Sequence, residues 1–202
     1  MAGPRAGNVH MVNSPLRRCT EDDIAAAAST LATAFDDYPW TRWTVPAEDH
    51  SRRLEELQAI YLAHALEHGF ALVDDAVRAV IAFVRPDAPE LEPAAMRRIV
   101  ELHGERLDLL MGAATPPVPT GAWDLATLGV QPDVRGAGLG SRITAAGLDL
   151  VAELDPGAAV ALETSDERNV RLYERLGFRL TATTPISQGP TVFSMLRTSD
   201  AQ

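Results

Sequence analysis

A glycine-rich turn between a predicted strand and a predicted helix has the residue types and spacing that most directly indicate chemistry. The segment 135–140 is Arg-Gly-Ala-Gly-Leu-Gly; it follows an apolar strand at 125–130 and precedes an amphipathic helix at 141–151. Glycines let the backbone approach a ligand closely because they have no Cβ. The start of a helix adds unpaired N–H groups and the positive end of the helix dipole. The turn therefore predicts an anion site, most naturally for phosphate.

The spacing within the turn excludes two common phosphate-binding motifs. A P-loop requires a Gly-Lys-Ser/Thr sequence after a four-residue gap, and that lysine is missing here. A dinucleotide-binding fingerprint requires a third glycine at position 141, which is Ser141. The pattern that is left is Arg135-x-x-Gly138-x-Gly140. Arg142 adds a cation in the first helical turn, a position that is unfavourable for positive charge unless an anion is bound nearby. The alternative is that its side chain extends into solvent.

A second motif follows about thirty residues downstream. A short apolar strand at 160–165 carries Glu163, and a helix is predicted directly after it, ending at Gly177. Asn169 and Tyr173 are four residues apart on that helix and so share one face.

Both motifs resemble those of the GCN5-related N-acetyltransferase (GNAT) superfamily, in which the Q/R-x-x-G-x-G/A turn wraps the pyrophosphate of acetyl-CoA. This resemblance implies acetyl-CoA as co-substrate and no metal. It also implies an α/β (α+β) fold, with a mostly antiparallel mixed sheet of six to seven strands, splayed central strands and flanking helices. The residues expected at the cofactor are Leu128, Gly129, Val130, Arg135, Gly136, Ala137, Gly138, Leu139, Gly140, Ser141, Asn169 and Tyr173.

The likeness extends over most of the chain, from about 16 to 197. The segments 34–39, 123–130 and 162–165, and the chain from 178 onward, resemble the puromycin N-acetyltransferases within this superfamily. The resemblance implies transfer of acetyl to a primary amine of a small molecule, such as an aminonucleoside or another antibiotic. Two large side chains in the expected acceptor region, Trp40 and Trp43, depart from that pattern.

Acetyl transfer to an amine by direct attack in a ternary complex needs a base and an acid. An ammonium has no lone pair, so a carboxylate or a water relay must first accept its proton. Glu163 is the first choice of base, and its alternative role is to orient backbone or cap the next helix. Asp124 is the second choice, although we expect it at a wet strand end. Tyr173 is the expected acid for the leaving thiolate; otherwise it is a half-buried ring with a backbone partner.

The acceptor is expected in an aromatic loop at 36–46, which contains Tyr38, Trp40 and Trp43. These side chains either line the acceptor pocket, together with Asp124, or hold the first two helices together as core. His64 and His68 have i,i+4 spacing, but without a third ligand a surface helical face is favoured over a metal site.

Other functions are compatible with the same motifs. A non-catalytic acyl-CoA-sensing module would need the phosphate loop, but neither Glu163 nor Tyr173. Within the enzymes, a protein N-terminus or a polyamine is an alternative acceptor. The single cysteine, Cys19, lies far from both motifs, so a thiol intermediate has no support.

Composition indicates a globular protein of the cytoplasm. The chain has 202 residues, 46% hydrophobic residues and a net charge of −10. That charge, without a basic stripe, disfavours nucleic acid as a partner. No apolar run is long enough to span a bilayer, and no signal peptide is evident. A homodimer is compatible with the sequence but not required by it.

We expect a poorly ordered segment at 1–15 and a single GNAT domain at 16–202. A capping box at Thr20 and Asp23 should open the first helix, which ends near Ala34. The other predicted elements are a strand at 16–19, helices at 47–68 and 93–111, a loop at 113–121, and hairpins at 70–84 and 178–196.

Overall fold

The computed structural model describes residues 14–198 as a seven-stranded sheet with helices on both faces. The strands are β1 (Leu16–Arg18), β2 (Gly69–Asp74), β3 (Ala79–Val84), β4 (Trp123–Val130), β5 (Val160–Thr164), β6 (Arg179–Pro185) and β7 (Thr191–Arg197). The helices are α1 (Ile24–Phe35), α2 (Pro39–Thr44), α3 (His50–His68), α4 (Pro93–His103), α5 (Leu107–Gly112), α6 (Leu139–Leu154) and α7 (Glu167–Glu174). The predicted lead-in at 1–15 lies outside the described residues except for its last two, and the Pro15 carbonyl there accepts a hydrogen bond from the Asp75 N–H.

The strand order is β1-β2-β3-β4-β5-β7-β6. All neighbouring strands are antiparallel except β4 and β5, which are parallel and are joined through α6. Parallel neighbours need a crossover connection of this kind because a short turn cannot return the chain to the same end of the sheet. The predicted mixed, mostly antiparallel sheet is confirmed.

The two parallel strands separate shortly after they meet. Their pairing consists of Trp123 with Val160 and Asp124 with Ala161, although β4 continues to Val130. On its other edge β4 pairs with β3, where the register shifts and Ala126 becomes an extra residue, a β-bulge. The predicted splay of the central strands is confirmed, and it leaves a gap between β4 and β5 (the β4–β5 gap).

The core lies on both faces of the sheet because β2 and β3 bury successive side chains in opposite directions. Phe70, Ile81 and Phe83 pack with Trp123 and α6 on one face. Val73 and Val80 pack with α1 and α3 on the other. Alternation along a strand explains this division, and it holds α1 and α6 on either side of the β4–β5 gap.

Two elements differ from the sequence prediction. The segment 36–46, predicted as a loop, contains α2, which begins at Pro39; proline is favoured at the first helical position because its φ is already helical and no N–H is needed there. The helix predicted over 93–111 breaks at Gly104, whose φ is 49°, so α4 and α5 are separate. The predicted capping box of Thr20 and Asp23 is confirmed.

Candidate active site

A cleft of about 610 Å³ opens beside the glycine turn, and we call it the glycine-loop cleft. Its walls come from the end of α1, the far half of β4, the start of α6 and one side of α7. Its lining includes Ala34, Phe35, Tyr38, Leu128, Gly129, Val130, Arg135, Gly136, Gly138, Leu139, Gly140, Ser141, Asp166, Arg168, Asn169 and Arg175. Of the residues predicted at the cofactor, all but Ala137 and Tyr173 line this cleft.

The backbone of the turn is shaped as a cradle. Gly136 and Gly138 have φ values of 82° and 80°, and a Cβ added at either would meet nothing within 4 Å. The first hydrogen bond of α6 runs from the Arg142 N–H to the Gly138 carbonyl. The amide groups ahead of it therefore have no acceptor within the helix. The turn combines open space with N–H donors, which is the requirement for holding an anion.

Three arginines add positive charge to the glycine-loop cleft. Arg135 donates from Nε to the Val130 carbonyl (3.0 Å) and from a terminal nitrogen to the Ala34 carbonyl (2.6 Å), so it joins β4 to α1. Arg168 and Arg175 come from α7 and its end, and sequence reasoning missed both. Arg168 forms an ion pair with the carboxylate of Asp166 (2.6 Å).

Arg142 has neither of the two roles considered in the sequence analysis, which were contact with a bound anion and exposure to solvent. Its guanidinium donates to the carbonyl of Ser14, and it lines neither cavity. The cation in the first turn of α6 is thus directed toward the beginning of the described chain, where a carbonyl oxygen accepts its hydrogen bond.

A second cavity of about 500 Å³ adjoins the first, and we call it the carboxylate cavity. The two cavities share four lining residues, namely Phe35, Tyr38, Leu128 and Asn169. Others in the carboxylate cavity are Trp40, Gln58, Tyr61, His64, Asp124, Leu125, Thr127, Glu163, Thr164, Ser165, Tyr173 and Val192. The shared residues come from the end of α1, the α1–α2 connection, β4 and α7, so the two cavities meet there and a ligand in one can reach a ligand in the other.

Asp124 and Glu163 are the acidic side chains of the carboxylate cavity. Asp124 is half-buried, and burial together with the charge of Glu163 raises the pKa of Asp124 to about 6. This differs from the expectation of a wet strand end. Glu163 is exposed and accepts a hydrogen bond from the Ser194 hydroxyl (3.1 Å). The two carboxylates are arranged so that one titrates near neutrality.

Tyr173 is buried at the wall of the carboxylate cavity, where its ring packs edge-on against Phe178 with centroids 5.6 Å apart. Burial, with a smaller effect of Tyr38, raises the pKa of Tyr173 well above its usual range. The hydroxyl therefore keeps its proton at neutral pH. Tyr173 can donate that proton only to a group that is itself strongly basic, such as a thiolate in a dry site.

Tyr38 closes the junction between the two cavities. Its hydroxyl accepts the Ser165 N–H (2.6 Å) and lies 2.8 Å from Oγ1 of Thr164. That Thr164 oxygen also accepts from Nδ2 of Asn169 (3.2 Å). The network ties the segment between α1 and α2 to the end of β5 and the start of α7. Sequence reasoning had placed Tyr38 and Asn169 at the site, but not the threonine that connects them.

Two buried hydroxyls at the carboxylate cavity have no hydrogen-bond partner within residues 14–198. They are Oγ1 of Thr127 on β4 and Oγ of Ser165 after β5. Buried polar atoms are almost always satisfied. Orphaned oxygens on both sides of the β4–β5 gap therefore suit a polar ligand lying between the strands.

The two predicted tryptophans have different positions. Trp40 lines the carboxylate cavity, and its ring lies 5.4 Å from that of Trp43. Trp43 itself packs so closely on Gly189 that an added Cβ there would lie 2.7 Å from its ring. Trp43 does not line either cavity. It holds α2 against the β6–β7 turn, which is neither the pocket role nor the predicted packing between the first two helices.

One face of α3 was missed as part of the site. Gln58, Tyr61 and His64 are spaced three apart and line the carboxylate cavity. Their spacing was the available signal, but the sequence prediction placed His64 on a surface helical face and left Gln58 and Tyr61 out. The side chain of Tyr61 is 38% exposed. The pKa of His64 is lowered mainly by burial and, to a smaller extent, by the nearby His68. His64 is therefore neutral at pH 7.

Cys19 offers no nucleophile to this site. Its side chain is buried, and burial raises the pKa of its thiol to about 11. A thiol in this state is unreactive at neutral pH. In the part of the chain from 14 to 198, no three His, Cys, Asp or Glu side chains cluster in a way that could hold a metal ion.

Comparison with known proteins agrees with this geometry. The family model described as FR47-like protein matches residues 118–186, which include β4, the glycine turn, α6, β5 and α7. A solved structure described as histone acetyltransferase HPA2 and related acetyltransferase, from Corynebacterium glutamicum, is 25% identical. It aligns over 90% of this chain and 94% of its own with a TM-score of 0.69. These matches support membership of the GNAT superfamily.

Further structures share the GNAT fold at lower identity. The yncA protein of Salmonella typhimurium, assigned as an acetyltransferase and solved with its cofactor acetyl-CoA, is 16% identical over 94% of this chain and 96% of its own, with a TM-score of 0.57. The polyamine N-acetyltransferase of Drosophila melanogaster is also 16% identical, over 92% and 99%, with a TM-score of 0.60. The family match and the Corynebacterium glutamicum structure support an acetyltransferase, while the structures of lower identity show a shared fold.

Within the described residues, no helix combines the length and the apolar character needed to cross a membrane. Location in the cytoplasm and assembly as a homodimer stay predictions from the sequence.

Proposed function

We propose that this protein transfers an acetyl group from acetyl-CoA to the primary amine of a small molecule, by direct attack in a ternary complex. The observation that carries the proposal is the contrast in charge between two adjoining cavities. The glycine-loop cleft is lined by Arg135, Arg168 and Arg175 and by two aspartates, Asp37 and Asp166, which form ion pairs with Arg42 and Arg168, so cations outnumber anions in its lining. Among the described residues, the carboxylate cavity is lined by Asp124 and Glu163 and by no arginine or lysine. An anionic donor and a cationic acceptor would each find a complementary wall.

The residues of the glycine-loop cleft fit a pyrophosphate. Gly136 and Gly138 leave room at their Cα atoms, and the amides at the start of α6 supply donors. Arg168 and Arg175 add positive charge, which the phosphates of CoA would neutralise. The pantetheine arm would then follow the β4–β5 gap, where unpaired backbone of β4 can hydrogen-bond it as an added strand would.

The carboxylates would take the proton that the acceptor must lose. An ammonium entering the carboxylate cavity meets Asp124 and Glu163 together. Asp124, with its pKa near 6, is mostly ionised at neutral pH and returns its proton readily to solvent. We therefore assign the base to this pair, directly or through one water, and name Asp124 ahead of Glu163. The neutral amine then attacks the thioester carbon.

Tyr173 would complete the transfer. As the new C–N bond forms and the C–S bond breaks, the departing sulfur gains negative charge. A buried Tyr173 hydroxyl that holds its proton at neutral pH is suited to donate it to that sulfur. Backbone N–H groups of β4 near Leu128, Gly129 and Val130 are the candidates for polarising the thioester carbonyl.

Two measurements test the proposal. Titration calorimetry should detect acetyl-CoA binding, and a thiol-sensitive dye should detect CoA release when a panel of primary amines is added. Absence of any heat of binding would refute the assignment of the glycine-loop cleft. Binding without thiol release, for every amine, would instead identify an acyl-CoA-sensing module.

A further inference from the structure

We infer that the acceptor is a primary monoamine with an aromatic body, rather than a polyamine or another dication. This inference rests on the proposed function and names its substrate class. It is drawn from how charge and aromatic surface are distributed in the carboxylate cavity. The position of the charge, the character of the remaining wall and the lack of a second acidic site each contribute.

Negative charge in the cavity is confined to one place. Asp124 and Glu163 lie on adjacent strands at the β4–β5 gap, and the charge of one acts on the titration of the other. Between residues 14 and 198, no other aspartate or glutamate lines the cavity. One ammonium can therefore be held, and it is held next to the junction with the glycine-loop cleft, where the acetyl group would arrive.

Apart from the carboxylates, most side chains that line the cavity are aromatic or apolar. Phe35 and Tyr38 stand at the junction with ring centroids 5.2 Å apart, and Trp40 and Tyr61 stand on α2 and α3. Val192 adds an apolar contact from β7. Offset or edge-on packing of an aromatic ligand against such rings gains about 0.5–1.5 kcal/mol per pair beyond buried area. A flat apolar body attached to the amine suits this wall.

A second positive charge would have no partner there. The polar side chains of the far wall, Gln58 and His64, carry no negative charge. Asp36 and Asp37, in the α1–α2 connection, both form ion pairs with Arg42 (2.9 and 3.3 Å). Glu67 on α3, whose charge acts on His64, is an exposed side chain 3.7 Å from His68 and does not line the cavity. An ammonium moved from water to this wall would lose hydration without gaining a counter-ion, which is costly.

Three amines of similar reach separate the possibilities. We would compare 2-phenylethylamine, its saturated counterpart 2-cyclohexylethylamine, and 1,4-diaminobutane as acceptors at saturating acetyl-CoA. The expected kcat/KM for 2-phenylethylamine exceeds that for the diamine by about tenfold or more. It exceeds that for the cyclohexyl amine by about threefold, because only the aromatic ring gains ring–ring contacts.

A pair of variants at Gln58 makes the test specific to charge. Gln58→Glu places a second carboxylate on the far wall with little change in shape, and Gln58→Ala removes the side chain without adding charge. Only Gln58→Glu should raise kcat/KM for the diamine, by about fivefold, while Gln58→Ala should not. A rise in both variants would attribute the effect to space and overturn the charge argument.

The experiments distinguish failure of this inference from failure of the proposed function. Equal or better use of the diamine by the wild-type protein, with acetyl-CoA-dependent transfer intact, overturns the monoamine class alone. Quenching of tryptophan fluorescence by 2-phenylethylamine in the presence of CoA should be lost in Trp40→Ala, and this reports binding without turnover. If CoA binds but 2-phenylethylamine causes neither quenching nor transfer, the carboxylate cavity does not bind an aromatic amine and the inference is overturned.

Discussion

Asp124 is the last residue of β4 that pairs with β5, and its partner there is Ala161. Glu163 lies two residues beyond Ala161, so the two carboxylates face one cavity from strands that are separating. Burial of Asp124 and the nearby charge of Glu163 raise the pKa of Asp124 to about 6. The splay of the sheet thus creates both the opening for the ligand and the base inside it.

The pH dependence should follow this pair. Because Asp124 must be ionised to accept a proton, kcat/KM should fall by about tenfold between pH 8 and pH 5. In Glu163→Gln the loss of a neighbouring negative charge should move this acidic limb to lower pH. The ratio of the two profiles cancels ionisation of the acceptor. An unchanged limb in the variant would contradict the coupling.

The raised pKa of Asp124 should also make the free energy of unfolding depend on pH, because the ionised carboxylate that serves the reaction destabilises the folded protein. A carboxyl whose folded pKa is raised favours the folded state fully only below its unfolded pKa of 3.8, and this contribution is lost as pH rises through about 6. Asp124→Asn should therefore stabilise the protein at pH 8, by about 1–2 kcal/mol. The gain should shrink toward pH 4. Chemical unfolding at the two pH values measures it, and a gain independent of pH would exclude the linkage.

Tyr173→Phe should separate binding from chemistry. The ring stays available to pack on Phe178, so the fold and acetyl-CoA affinity should be retained. Without the proton donor, kcat should fall by about a hundredfold. Steady-state kinetics and calorimetry on the same preparation check both. A variant with kcat near the wild-type value would remove Tyr173 from the mechanism.

The glycine cradle can be tested with a matched pair. Gly138 and Gly121 have φ values of 80° and 81°, and a Cβ at either meets nothing within 4 Å. Alanine should cost about 1 kcal/mol of stability at both positions because L residues disfavour this conformation. Only Gly138→Ala should weaken acetyl-CoA binding, by about tenfold, since Gly121 lies outside both cavities. Equal affinities in the two variants would argue against the cradle.

Packing of α6 on the sheet depends on a small residue. A Cβ at Gly147 would lie 2.3 Å from the ring of Phe83, so Gly147→Ala should destabilise the protein by about 1–3 kcal/mol. Gly112 in α5 has nothing within 4 Å, and Gly112→Ala should be neutral or stabilising by up to about 1 kcal/mol. Denaturant midpoints compare the two. A neutral Gly147→Ala would mean that Phe83 repacks freely.

Local features were predictable because neighbouring residues determine them. The capping box at Thr20 and Asp23, the glycine turn and the start of α6 depend on backbone conformation and on hydrogen bonds a few residues apart. The predicted strands match β2–β7 closely for the same reason, since short apolar runs bounded by turn residues are visible in the sequence. The Gly104 break was missed because helical periodicity continues on both sides of it.

The far wall of the site was not predictable from periodicity. Gln58, Tyr61 and His64 have the spacing of any helix face, and that spacing does not distinguish a core from the wall of an open cavity. Trp43 could have faced the ligand, but it packs instead on Gly189, a residue far along the chain. Such choices depend on how separate elements meet.

The sequence by itself determined the element types, the anion-binding turn and the identity of the groups able to exchange protons, because these follow from local backbone preference and side-chain chemistry. Only the tertiary structure decided that Asp124 is half-buried beside Glu163, and that this pair and the arginines near the glycine turn line two adjoining cavities. A pKa and a cavity depend on atoms brought together from distant strands. The separation of β4 from β5 sets those distances.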